Sequence, residues 1–305
     1  MTDSGPGALS RHDARFIREA LAIQDADPRD TRSLGYTARI LTIATLPHRA
    51  QPGDHFERSN GGYRLIVQAM PGAGLPFGSY PRLLLAWLAT EIVRTRRREL
   101  VLGASMADFM RQLGLGRSGG RAHHERSAGT IHRLKRQIVS LFGSRLILHK
   151  QSSREQIELL QIGERFESWT DSAQSDVLPG TLRVSESLYE HILRAPVPVD
   201  LRALRALKRS PLALDLYTWL THRNFVQQNG GRKQATIPWG ALQRQFGSDY
   251  PRNSRGRADF KKAFHGAYRR VQLVYPRAAI RDDGDCLTLL TTAPHVRTHR
   301  LIGSR

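Results

Sequence analysis

The sequence predicts an α+β protein made of two winged-helix domains in tandem. Three observations carry this. One order of elements (helix, short strand, short helix, turn, long basic helix, two-stranded hairpin) reads twice along the 305 residues. The copies keep a near-constant offset: Trp87 to Trp219 is 132 residues, and Gly114 to Gly247 and Ile131 to Phe264 are each 133. Two basic blocks flank an acidic one. Residues 82–154 hold 15 Lys/Arg against 4 Asp/Glu, residues 252–281 hold 9 against 1, and residues 155–200 hold 3 against 9. Identity between the copies is slight, so order and spacing define the repeat.

Residues 1–33 are polar and weakly periodic. They read as a mobile N-terminal tail with a short amphipathic helix near 14–23. The first domain is placed at 34–170. Residues 38–45 (ARILTIAT) read as a strand, and 56–58 and 63–68 flank Ser59-Asn60-Gly61-Gly62, a hairpin signal. Ser79 as cap, with Pro81 in the first turn, opens a helix whose stripe is Leu84, Trp87, Leu88 and Ile92. Residues 99–102 form a short strand. Ser105 and Asp108 form a capping box for a short helix that turns Met106, Phe109, Met110 and Leu113 inward. Gly114 falls where a left-handed cap favours glycine. A long helix follows over 121–142, and 145–150 with 156–162 are the strands of its wing. Residues 171–208 link the domains through a strand and helices near 186–193 and 201–207. The second domain is placed at 209–300. Ser210-Pro211 starts its first helix, which bears Leu212, Leu216, Trp219 and Leu220. A strand at 235–237, a short helix at 239–246 ended by Gly247, a long basic helix at 255–271 and a hairpin around Asp283-Gly284 complete it.

Charge narrows the partner. The formal net charge is +20, and of 47 basic residues only six are lysines. Such an excess in a folding chain points to a polyanion, and its uneven placement to two docking surfaces. No apolar run approaches the roughly 18 residues of a membrane helix, so no membrane span is expected. The first residues lack an apolar signal core, and a cytoplasmic, nucleoid- or plasmid-associated location follows as the expectation. Cys286 is the sole cysteine, which excludes a disulfide framework and zinc sites built on cysteine pairs.

The two long helices carry the chemistry. At about 100° per residue, Ile131, Leu134, Ile138 and Leu141 gather on one side of the first. Arg126, Gly129, Arg133, Arg136 and Ser140 gather opposite. In the second, Phe260, Phe264, Ala267 and Val271 face inward while Arg255, Lys262, Gly266 and Arg269 face outward. A B-DNA major groove admits one helix, and an arginine fork can bond guanine O6 and N7 together. Arg126, Arg133, Arg255 and Arg269 are therefore the expected base readers. Arg117, Arg121, Lys135 and Lys262 are expected to hold phosphates, and Arg136 and Arg257 are expected among the DNA-binding residues. Gly119 and Gly120 leave free N–H groups at a helix start, a natural phosphate seat. Gly129 would let the helix approach a groove closely. Lys150 and Arg154 border the first wing tip and could reach phosphates. The second tip, Asp282-Asp283-Gly284-Asp285, is acidic and should avoid them.

Other chemistries fit less well. Residues 114–119 match G-x-G-x-x-G, but a dinucleotide site needs a strand before the glycines, and here a capped helix precedes them. No G-x-x-x-x-G-K-[ST] occurs, so no ATPase is expected. His123, His124 and His132 lack a carboxylate at ligand spacing, so no metal is expected. His191, Arg194 and Tyr217 loosely imitate a tyrosine recombinase, at too short a spacing. The expected protein has no catalytic residues and no cofactor. A winged-helix transcriptional repressor of a promoter palindrome is the main alternative.

Three stretches give the reading a family. ATLPHR at 44–49, GLPFGSYPRLLLAWLATEIVRTRRRELVLGASMADFMRQLGL at 74–115 and GGR at 119–121 resemble the plasmid-encoded RepA-type replication initiators. The resemblance runs over roughly residues 36–300 and is strongest over 74–145. It implies winged-helix folds, binding to repeated double-stranded sites at a plasmid origin, opening of the duplex, and recruitment of the host initiator and helicase. It also implies that a homodimer represses the protein's own gene. Relatives carry a bulky residue soon after GGR, where this chain has Ala122-His123-His124, so base preference does not carry over.

Overall fold

The apolar stripes close onto two hydrophobic cores that share one helix. A computed structural model describes residues 10–115, 124–151, 155–169, 179–247 and 249–296, in an α+β arrangement with four small antiparallel sheets. The shared helix is α3 (Ser79–Thr95). Leu84, Leu85, Trp87, Leu88 and Ile92 enter the first core, while Leu83 and Ala86 on its other side enter the second. A helix apolar all round is buried all round, which is why α3 carries more than the one stripe read from sequence. Its cap is Gly78; Ser79, expected as the cap, is the first helical residue.

In the second half each element falls where local signals put it. α8 (Pro211–Asn229) starts at Ser210, whose side chain accepts from the Ala213 N–H. β10 (Gln234–Pro238), α9 (Trp239–Phe246) and α10 (Ser254–Val274) follow, then β11 (Ala279–Asp282) and β12 (Cys286–Leu290). The strand order is β10-β12-β11. The β11–β12 turn centres on Gly284-Asp285, one residue later than the Asp283-Gly284 expected, with the Asp283 N–H donating to the Cys286 carbonyl and the Gly284 N–H to the Asp282 side chain.

The first half repeats this order with an insertion. β4 (Glu99–Gly103), α4 (Met106–Gln112) and α5 (His124–Phe142) are followed by β7 (Gly163–Glu167) and β8 (Gly180–Val184), in the order β4-β8-β7. This corrects the first wing. The strands expected to form it, β5 (Arg145–Lys150) and β6 (Gln156–Gln161), do pair with each other. They join the hairpin β2 (His55–Asn60) and β3 (Tyr63–Gln68) instead, as β2-β3-β5-β6. The hairpin that pairs with β4 is β7–β8, and Trp169 near its tip donates to the Gly103 carbonyl.

The linking segment also differs. β8 belongs to the first half, while β9 (Pro196–Asp200) pairs with β1 (Leu34–Ala38). α7 (Leu201–Leu207) puts Ala203, Leu204 and Leu207 into the second core; α6 (Glu186–Arg194) puts Leu188 and Ile192 into the first. The strand expected at 38–45 ends at Ala38, and α2 (Ile40–Ile43) replaces its remainder. Burial of Ile40, Leu41 and Thr42 leaves no solvent face for an alternating strand, and the Gln245 amide bonds the Thr42 and Ile43 carbonyls. The segment expected as a mobile tail contains α1 (Arg11–Gln24). Phe16, Ala20 and Ile23 of α1 are buried in the second core. Arg202 ties its end down by donating to the Ala22 and Ala26 carbonyls.

A buried ion cluster locks the halves. Arg82 on α3 donates Nε and Nη2 to the two carboxylate oxygens of Asp215 on α8, at 2.6 and 2.7 Å. Its Nη groups also reach the Leu46, Pro47 and Gly78 carbonyls, and His48 Nε2 lies 2.7 Å from Asp215. Burial pushes the Asp215 carboxyl upward, but Arg82 and His48 outweigh it and hold it below the usual range. The ATLPHR stretch is therefore a junction: Thr45 also donates to the Gln245 carbonyl.

Gly114 ends α4 as expected, at φ +69°. The Leu115 N–H reaches the Met110 carbonyl and the Gly114 N–H the Arg111 carbonyl, the bond pair of a Schellman cap. From α7, Arg205 donates to the Gln112 carbonyl and Lys208, just beyond it, to that of Gly114. A Cβ at Gly114 would collide with the Arg205 side chain. Gly114→Ala should therefore cost about 1–2 kcal/mol, read from the denaturant midpoint. A change near zero would mean that Arg205 swings aside and that the backbone leaves its left-handed conformation at no cost.

Candidate nucleic-acid interface

Each long helix is anchored by one face and bare on the other. In α5, Leu134, Ile138 and Leu141 are at most 1 % exposed, and Ile131 is half-buried against them. Gly129, His132, Arg133, Lys135 and Arg136 are exposed. Ser140, expected on that outer stripe, is buried and donates to the Ala73 carbonyl. In α10, Phe260, Phe264, Ala267 and Val271 are buried, while Arg255, Arg257, Lys262 and Arg269 are exposed.

The cations on these faces are unspent. Lys135, Arg136, Arg255, Arg257, Lys262 and Arg269 make no side-chain hydrogen bond or ion pair with another described residue. Arg133 reaches only its own helix, the Gly129 carbonyl at 3.2 Å. A Cβ added at Gly129 or at Gly266 would meet nothing within 4 Å. The fold itself therefore does not need glycine at either place, although each costs helix stability relative to alanine.

A basic cleft of ≈ 630 Å³ adjoins the α5 face. Arg133 and Arg136 form one side of it, and Lys208 and Arg209, from the α7–α8 turn, the other. Sequence reading missed this second pair, which fell at the presumed domain boundary. Lys-Arg just before the Ser210 cap was the available signal.

The remaining expected residues are dispersed. Lys150 ends β5 in the four-stranded sheet, its Nζ 5.9 Å from the Tyr63 ring centroid, and so does not border the hairpin that pairs with β4. Arg117, Gly119, Gly120, Arg121 and Arg154 lie outside the described residues. Arg126 lies in α5, with its side chain outside them. At the second hairpin, Asp282 accepts from Trp239 Nε1 and His265 Nε2, both at 2.9 Å. Burial would raise its pKa, but these bonds hold it lowered. Lys261 of α10 donates to the Gly284 carbonyl and sits 4.8 Å from the Trp239 ring centroid. Asp283 is bonded to Arg281 and Thr288. Asp282 thus ties the hairpin to α9 and α10, while Asp283 is spent within the hairpin itself.

Tyr217, the nucleophile of a recombinase reading, is fully buried. Its hydroxyl accepts from the Asp200 N–H and lies 2.8 Å from His295 Nδ1, and burial raises its pKa well above that of a free tyrosine. Among the described residues no group of three or more His, Cys, Asp or Glu is placed to hold a metal ion, and no helix is long and apolar enough to cross a membrane.

Comparison with curated proteins returns no match. Two solved structures resemble the fold: RctB domains 2-3, at TM-score 0.46 and 13% identity over 84% of this chain and 97% of that one, and a selenomethionine derivative of the same two RctB domains, at 0.46 and 13% over 83% and 95%. A family model described as "Plasmid encoded RepA protein" matches residues 75–241, from just before α3 through the start of α9. That match spans more than half of the chain, and the protein belongs to this RepA family.

Proposed function

We propose that the protein initiates plasmid replication by binding repeated double-stranded sites at the origin, with each half acting as a winged helix. The observation that carries this is the matched pair of long helices, each fixed by an apolar stripe and presenting unpaired arginines and lysines on the opposite face. RepA membership supports the replication role. α5 and α10 enter successive major grooves, about 10 base pairs apart. Arg126, Arg133, Arg255 and Arg269 read bases. Arg117, Arg121, Lys135, Arg136, Arg257 and Lys262, with the N–H groups at Gly119 and Gly120, hold phosphates. Lys150 and Arg154 take more peripheral phosphates. Bound copies distort an adjacent A·T-rich segment and recruit the host initiator and helicase. The protein contributes no catalytic residue, and a dimer represses its own gene.

The test is a footprint on DNA flanking the protein's own gene, at two salt concentrations. Several regularly spaced protected repeats beside an A·T-rich stretch are expected. A single symmetric site over the promoter would make it a repressor, and salt-sensitive coating without a footprint would remove the specificity. Within a repeat, Arg133→Ala should relax preference at one position by roughly tenfold or more. Lys135→Ala should weaken all sequences alike and reduce the salt slope by about 1. Equal losses on every sequence from both variants would overturn these role assignments.

A further inference from the structure

A second cleft, of ≈ 310 Å³, opens between β2 of the first half and the α9–α10 region of the second. Its lining includes Glu57, Arg58, Arg244, Tyr250, Arg252 and Arg257. Arg58 is the unusual member. It is only 2 % exposed, and its Nε, Nη1 and Nη2 are buried without a hydrogen-bond partner. The Phe56 ring centroid, 5.0 Å from its guanidinium carbon, offers partial compensation. The carboxylates that act on it from a distance are Asp215 and Asp249. Asp215 is already engaged by Arg82 and His48, and Asp249 accepts from Gln51. Burial pulls the Arg58 pKa down to about 10, against the pull of both carboxylates.

An unpaired buried cation is costly, and it persists in a fold when a counter-ion completes it. Arg244, Arg252 and Arg257 line the same cleft and make no side-chain hydrogen bond or ion pair with another described residue. Glu57, the lining carboxylate, is held by Arg64 at 2.6 Å. Four arginines from both halves thus line one cleft, and none of their guanidinium groups is bonded to another described residue. Planar guanidinium forks match the oxygens of phosphate.

We propose that this cleft is a phosphate-binding site in which Arg58, Arg244, Arg252 and Arg257 clamp one phosphate group between the two halves. The group is either a free ion or a phosphodiester of bound duplex, and only the second source rests on the proposed function.

The full chain is melted in inorganic phosphate and in chloride of matched ionic strength, as wild type, Arg58→Met and Arg252→Ala. About 20 mM phosphate should raise the wild-type Tm by roughly 3 °C over chloride, and either substitution should remove the increment. Arg58→Met should melt no lower than wild type in chloride, because it removes an uncompensated charge. No increment in wild type, or the same increment in all three proteins, would overturn the site. If Arg58→Met fails to fold, the exposed Arg252→Ala decides alone.

Binding to a random-sequence duplex separates the sources. If a DNA phosphate fills the cleft, phosphate weakens wild-type binding more than matched chloride does, and Arg252→Ala loses that difference. If the ligand is the free ion, Arg257 serves that ion and no DNA phosphate, and wild-type duplex affinity is equal in the two salts. A phosphate increment without any duplex binding removes the proposed function and leaves the site standing.

Discussion

Asp215→Asn is expected to cost about 3–5 kcal/mol of unfolding free energy. The substitution keeps shape and removes charge, leaving Arg82 buried between the halves without its bidentate partner. The cost comes from that stranded cation; the Coulombic worth of the intact pair is largely offset by the desolvation of both groups. The double substitution Arg82→Met with Asp215→Leu should therefore recover most of the loss, a coupling that a double-mutant cycle in urea measures directly. A loss under about 1 kcal/mol for Asp215→Asn would show that water reaches Arg82 in solution.

Acid should begin to destabilise the protein before its carboxylates titrate. Three histidines sit with lowered pKa: His48, and His222 and His295 at about 4. Burial is the main cause in each. Arg39 and Arg223 add to it at His222, while the pull of Asp215 on His48 and of Asp200 on His295 is insufficient to reverse it. The unfolded chain takes up these protons near pH 6.5 and the folded chain near pH 4 for the latter two, so stability falls as pH drops through that window. At about 1.4 kcal/mol per unit and site, the loss by pH 4 is on the order of 5 kcal/mol. Asp215, whose folded pKa is lowered, extends the loss to pH below its unfolded value of 3.8. Urea melts from pH 7 to 4.5 measure the slope, and His222→Gln should flatten it. A flat wild-type profile would mean that these rings protonate freely in the folded state.

What the sequence disclosed follows the range of each interaction. Ser105, Ser210, Gly114 and the glycines after Asn60 act within a few residues, and they placed helix starts, a helix end and a hairpin. The stripes of α5 and α10 are likewise local; Arg133, Arg136, Arg255, Lys262 and Arg269 are exposed on the faces opposite them, while Ser140 is buried. Sheet membership is not local. β5 and β6 pair with each other as their proximity suggests, but the edge they join is β3, about 80 residues upstream. GERFE and GTLRV, β7 and β8, alternate weakly and lie 12 residues apart in the sequence, so nothing in them announced a hairpin. Nothing local in the sequence marks Arg58 or Arg82 as buried, since arginine is seldom buried without a reason. For Arg82 the reason is an aspartate 133 positions away.

The double attachment of α1 and the Arg82–Asp215 lock limit how this protein can be recombined with others. The two halves look like modules, yet the chain's first helix lies in the second core and its α3 in both. A chimera cut between the halves would separate His48 and Arg82 from Asp215, Thr45 from Gln245, and Phe16 from α10. If the outer faces of α5 and α10 read DNA as proposed, a new specificity is therefore better grafted on them than carried by an exchanged half. Recombinants between plasmids should survive chiefly where the ATLPHR stretch travels together with α8.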